Sequence, residues 1–276
     1  RRLASAEGRL GPAEGRRLAP AGARSHRGGR GPTFLPMRFN RSLLNGLVFL
    51  AACDVPFAPG VDDYRAELEQ RKGTLLSAEV TVTEVEPGHV TRDFVLRSTS
   101  GLVVRGRFRI HPDAGPDDRR PAAILLGGID RGGDAVSLLP TDLYPAAAAL
   151  WYPDELDAEE AEDALRRLDD LAEIAWDIPA AVLLTVDFLA AQPGVDSTRL
   201  AAIGASFGGF FIPAAAAADT RHRNIGRRYA GGDLAGLLAD HLDDEVPPAA
   251  ALLGGEMAAL RLQRLEPVRW MEQIAP

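Results

Sequence analysis

The stretch "RLAAIGASFGGFF" (residues 199–211) sets one serine, Ser206, between Gly204 and Gly208, with Gly209 directly after. In a G-x-S-x-G pattern the serine occupies a strained turn between a strand and a helix. The glycines let neighbouring chain pass without a clash, and the hydroxyl projects above the sheet edge. A hydroxyl held there can attack a carbonyl carbon. The N–H of the next residue, Phe207, and the start of the following helix can then stabilise the oxyanion that forms. An ordinary tight turn also uses Gly and Ser, so the flanking elements decide. An apolar run ending at Ile203 precedes the serine and an alanine-rich segment follows it, which is the context the pattern requires.

The elements that must position this serine are legible along the chain. Ser77–Val85, Val90–Ser98 and Leu102–Ile110 read as three strands, with Glu86-Pro87-Gly88 as the first turn. In the third, Leu102, Val104, Gly106, Phe108 and Ile110 alternate with Arg105, Arg107 and Arg109. "AAILLGG" (122–128) is a continuous apolar run, as expected of a strand buried on both faces, and "PAAAALWYP" (145–153) is a second. A long helix is expected from about Glu155 to Trp176. Its outer face is strongly acidic and reads as solvated surface. Pro179 suits the first turn of a separate helix reaching about Ala191. A strand to Gly204, a helix from Phe207, a strand near Ile225–Ala230 and a helix over Asp233–His241 follow. Antiparallel strands leading into alternating strands and helices predict an α/β fold, with a mainly parallel sheet and helices on both faces.

"DFLAAQPGVDSTRLAAIGASFGGFF" (187–211) resembles the corresponding region of the α/β-hydrolases, especially the dienelactone hydrolase and acyl-peptidase-like branch. There a helix, a Val-Asp-x-x-Arg turn and a strand lead into Gly-x-Ser-x-Gly-Gly, positions held here by Val195, Asp196, Arg199 and Gly204 to Gly209. The resemblance extends over about Ser77 to Pro276. It implies acyl transfer to water: Ser206 as nucleophile, an acyl-enzyme, and oxyanion donors at the backbone N–H of Phe207 and of Ile129. Ile129 follows Gly127-Gly128, where the family carries His-Gly, and that His is absent here. Carboxylic ester hydrolysis is the leading expectation, with peptide or lactone hydrolysis close to it. A non-catalytic envelope lipoprotein using the fold for binding is one rival, and an inactive fragment of a hydrolase is another.

In this family the acid and the histidine follow the serine along the chain. "RLEPVRWMEQIAP" (264–276) resembles the approach to the strand that carries the acid, so the expectation is a domain whose last strands lie beyond Pro276. Asp233 is the available substitute acid. The histidines, His26, His89, His111, His222 and His241, have no metal-like spacing and read as surface or loop residues. No cofactor is expected: no Gly-Lys-Ser/Thr follows the glycines at 127–128, and G-x-G-x-x-G spacing is absent.

The bulk numbers fit a soluble globular chain, 46% hydrophobic and 25% charged over 276 residues. A net charge of −8 argues against a nucleic-acid partner. Residues 1–41 hold ten arginines against two glutamates, about +8, which leaves about −16 for the remainder. Residues 1–36 have too few large apolar side chains to fold and are expected to be disordered or a non-native extension. From Met37 a basic start (Arg38, Arg41), an apolar run (Ser42–Ala52) and Leu50-Ala51-Ala52-Cys53 resemble a bacterial lipoprotein signal. Cleavage before Cys53 and lipidation of its thiol would place the protein on the cell envelope, facing the periplasm; an amphipathic helix with a buried Cys is the plainer alternative. Residues 54–73 would then be a tether and residues 74–276 the hydrolase domain. One cysteine in the whole chain excludes an internal disulfide.

Overall fold

The computed structural model describes residues 61–156, 166–228, 234–236, 240 and 248–274. These include strands β1 (Leu75–Glu86), β2 (His89–Ser98), β3 (Val103–Ile110), β4 (Arg120–Leu126), β5 (Ala146–Leu150), β6 (Val195–Ala205) and β7 (His222–Arg228). They form one sheet in the order β1-β2-β3-β5-β4-β6-β7. The first three strands and the β3–β5 pair are antiparallel; β5, β4, β6 and β7 run parallel. The arrangement is the expected α/β sheet, with an antiparallel entry and a parallel body.

Central strands β4 and β5 read as unbroken apolar runs because both faces are covered, and every residue of β5 is buried. On one face Phe94, Leu96, Phe108, Ile124 and Leu126 pack against helices; on the other Ala123, Leu125, Ala147 and Ala149 pack against the 3-10 segment Gly132–Leu138. Arg109 departs from the polar side of β3. Its side chain is buried, and Nη2 donates to the Leu139 carbonyl at 2.7 Å.

Two helical expectations need correction. Residues 61–72, assigned above to a tether, form helix α1 (Val61–Lys72), with Tyr64 and Leu68 in the core. Tyr64 meets Trp176 edge-on at 5.9 Å and Trp270 at 6.4 Å. Arg71 bridges Glu67, Glu173 and Asp177, and Lys72 pairs with Glu69 and Asp187. With Val61, Tyr64, Ala66 and Leu68 its apolar residues among twelve, the segment has no clear stripe for a sequence pattern to report, so the tertiary partners make this helix. The second correction is α2 (Leu168–Ala190), one helix with Pro179 inside it rather than two helices parted there. Proline in a helix interior costs about 3 kcal/mol. Thirteen residues of α2 are buried, among them Trp176, Leu183, Leu184 and Phe188, and each large apolar side chain returns about 1.5–3 kcal/mol. The burial wins. Residues 157–165 lie outside the described residues.

After β6 come the 3-10 turn Ser206–Phe210, α3 (Ile212–Ala218), α4 (Pro248–Arg261), the turn Gln263–Leu265 and α5 (Pro267–Met271). The segment read above as leading toward an acid-bearing strand is therefore helical, and it buries Trp270 against α3 and Trp176. Among the described residues no helix is long and apolar enough to cross a membrane.

Candidate active site

Asp196 fixes the start of β6. It accepts hydrogen bonds from the Thr198 hydroxyl (2.7 Å), the Thr198 amide (3.0 Å) and Arg199 Nε (2.6 Å). Bonds from Thr198 and then Arg199 hold its carboxyl down at a pKa of about 2. The strand runs between β4 and β7 to Ala205, which is still extended at φ −125°. Ser206 follows at φ +53°, and no other non-glycine among the described residues has a positive φ. A conformation of this kind costs about 1–3 kcal/mol and persists only where the surroundings enforce it.

The glycines supply that enforcement. A Cβ on Gly204 would lie 2.7 Å from Gly209 Cα and 2.8 Å from the Gly208 carbonyl oxygen. A Cβ on Gly208 would lie 2.2 Å from the Leu126 carbonyl oxygen at the end of β4. The chain doubles back so closely that only hydrogens fit. The result is an exposed Ser206 at the carboxyl end of an interior parallel strand. The first turn after it is 3-10 rather than α-helical, a small correction to the expected helix from Phe207.

The loop after β4 is brought against this turn. The Gly208 amide donates to the Gly127 carbonyl at 3.0 Å, which ties the start of this loop to the serine turn. Ile129 is 37% exposed on the rim of a cleft of about 570 Å³. Arg105, Asp130, Arg131, Trp151, Tyr152 and Glu155 are among the residues lining the cleft. Phe207 packs edge-on against Tyr152, with ring centroids 5.2 Å apart.

The described histidines sit at the opposite end of the strands from Ser206. His222 opens β7 and pairs in register with Leu200, six residues before Ser206, which is about 20 Å of strand. His111 donates its amide to the Pro145 carbonyl just before β5 begins. His89 is the first residue of β2, beside Glu86, and not a loop residue as expected. Among the described residues, then, no imidazole reaches Ser206. Cys53, Asp233, His26 and His241 lie outside the described residues. No group of three or more His, Cys, Asp or Glu among the described residues is arranged to hold a metal ion.

His222 also corrects the expectation of a surface residue. It is 8% exposed, and neither ring nitrogen has a hydrogen-bond partner. Burial pushes its imidazole below the ordinary 6.5, outweighing the opposing charge of Asp219. The unfolded chain therefore binds a proton at a higher pH than the folded one, and stability falls as pH drops through about 6.5. The slope from this group is at most about 1.4 kcal/mol per pH unit. Melting curves from pH 7.5 to 5.5 should fall less steeply for His222→Leu than for the unmodified protein; parallel curves would remove this role.

Sequence reading missed Trp151 and Tyr152. The available signal is two aromatics at the carboxyl end of a buried strand, where "ALWYP" reads wholly as that strand.

No family model matches the chain, and no curated protein matches it. Solved structures do. Acetyl xylan esterase 1 from Thermoanaerobacterium sp. JW/SL YS485 superposes with a TM-score of 0.59 at 16% identity, over 80% of this chain and 78% of that one. An acetyl xylan esterase from Paenibacillus sp. R4 does so with a TM-score of 0.57 at 15% identity, over 79% and 78%. At such identities the likeness is one of fold. With its strand order and the serine turn at the end of β6, the chain has an α/β-hydrolase-type fold.

Proposed function

We propose that the protein is a serine hydrolase that cleaves carboxylic esters through an acyl-enzyme on Ser206. One observation carries this reading: among the described residues Ser206 is the one non-glycine with a left-handed backbone, enforced by interlocked glycines, where an interior strand ends. A fold does not keep such strain at an exposed residue for packing. Ser206 Oγ attacks the ester carbonyl, and the backbone N–H groups of Phe207 and Ile129 stabilise the oxyanion. The alcohol leaves, and water releases the acid from Ser206. The base that takes the Ser206 proton, and the acid that orients it, come from outside the described residues. Asp233 is one candidate for the acid. The acetyl xylan esterases with the same fold point toward a short acyl ester of a polyhydroxylated alcohol, which the mixed charges and Trp151 of the cleft suit.

The distance of every described histidine from Ser206 favours a second reading, a non-catalytic binding protein on the same fold. A fluorophosphonate probe separates the two. Covalent labelling mapped to Ser206 in protein made from the complete coding sequence supports the hydrolase. An unlabelled Ser206 in that protein supports the binding reading.

We also propose that Cys53 is lipidated after cleavage of residues 37–52, which anchors the protein to the envelope. Protein made in a Gram-negative host should partition into detergent, and Cys53→Ser should accumulate as precursor. Intact mass showing unmodified Cys53 still joined to residues 37–52 would end this reading.

A further inference from the structure

The loop that is to supply Ile129 N–H has two consecutive glycines, Gly127 and Gly128, and beyond the bond from the Arg131 amide to the Gly128 carbonyl at 3.0 Å it has little stiffness of its own. Something else must aim it. The two residues after β5 do so from two sides. Trp151 is tied to β3 through its amide, which donates to the Arg105 carbonyl at 3.0 Å. Its indole packs closely on Gly132 and Gly133, where added Cβ atoms would come within 2.5 and 2.6 Å of the ring. Tyr152 reaches the near end of the loop: its hydroxyl donates to the Gly127 carbonyl at 2.7 Å. That carbonyl also accepts from the Gly208 amide at 3.0 Å, so one oxygen joins β5, the glycine loop and the serine turn. The Tyr152 ring is held in turn by Phe207 at 5.2 Å and Phe211 at 6.2 Å. Burial raises its phenol far above the ordinary value, so the hydroxyl remains a donor at any working pH.

We infer that Tyr152 is a positioning residue for the oxyanion site: by holding the Gly127–Gly128 peptide plane it anchors the glycine loop from which the next peptide presents the Ile129 N–H to Ser206. The inference rests on the reading of Ser206 as nucleophile. A donor aimed at the oxyanion acts on the transition state and not on bound ester, so its misalignment lowers kcat and leaves KM in place. Removing an oxyanion donor outright costs about 10²–10³-fold, and a donor that is only loosened should cost less.

The test is Tyr152→Phe in the full-length protein, with p-nitrophenyl acetate as substrate and a trifluoromethyl ketone as transition-state mimic. The substitution removes one oxygen and keeps every ring contact. The expected result is a kcat about 10- to 100-fold lower, KM within about twofold, and ketone affinity reduced in step with kcat/KM. Amide exchange should quicken at Gly128 and Ile129 and stay unchanged in β4 and β6, which reads the loop independently of turnover. Equal kcat and equal exchange in an active protein would overturn the role of Tyr152 and leave Ser206 untouched. An unmodified protein with neither turnover nor probe labelling would overturn the nucleophile reading, and this inference with it.

Discussion

Ser206→Ala should abolish ester hydrolysis, lowering kcat by on the order of 10⁴–10⁶-fold and leaving only what the oxyanion donors and binding supply. The fold should not notice. Ser206 is exposed, and alanine at φ +53° carries the same backbone strain as serine. Ser206→Gly makes the opposite trade. Glycine adopts this backbone freely, so about 1–3 kcal/mol of strain is relieved against about 0.5–1 kcal/mol of added chain entropy. The glycine variant should therefore be inert yet melt a few degrees higher, since 1 kcal/mol shifts Tm by about 2–4 °C in a domain of this size. Activity assays and thermal melts on the three proteins check both halves. Undiminished turnover in Ser206→Ala would sink the nucleophile assignment. A lower Tm in Ser206→Gly would show that the turn is not strained by its side chain.

The second large effect belongs to Gly208→Ala. The new methyl would stand 2.2 Å from the Leu126 carbonyl oxygen, where carbon and oxygen normally approach no closer than about 3.3 Å. Leu126 ends a strand whose last five residues are buried and which is paired on both sides, so the serine turn must give way by about 1 Å. That movement breaks the Gly208 N–H bond to Gly127 and parts the two proposed oxyanion donors. Overpacking typically costs about 1–3 kcal/mol, and the lost hydrogen bond adds about 1 kcal/mol. A Tm lower by roughly 5–15 °C is expected, together with loss of probe labelling at Ser206. Gly226→Ala is the matched control. In β7 next door, its Cβ would meet Ile203 at an ordinary 3.7 Å, and little should change. If both variants melt and label alike, close packing of the turn is not what holds Ser206 in place.

The serine turn was legible because everything that defines it is local. Gly204, Ser206, Gly208 and Gly209 lie within six residues of one another, and the close approach of Gly204 to Gly209 is a contact inside the motif itself. The strands were legible for a related reason. Which way a side chain points along a strand depends only on its parity, so the alternation of Val104, Gly106, Phe108 and Ile110 reports which face of β3 is buried. Asp196 and Arg199, three apart, likewise form their turn without outside help.

Tertiary structure decided the features whose partners lie far away in the chain. Tyr64 and Leu68 make a helix of a polar segment because Trp176 and Trp270, over a hundred and over two hundred residues on, are there to cover them. Pro179 stays within α2 because the residues on both sides of it are buried on the same sheet. His222 and Arg109 look polar in sequence and are buried, since the strand that carries each is covered there. The Tyr152 hydroxyl meets Gly127 only because β5 and β4 are neighbours. By itself the sequence determined which residues prefer burial and which turn the glycines allow, because periodicity and backbone sterics act over a few residues. Which surface covers each face, and which donor reaches each carbonyl, depend on strand order, and no spacing in the chain encodes that order.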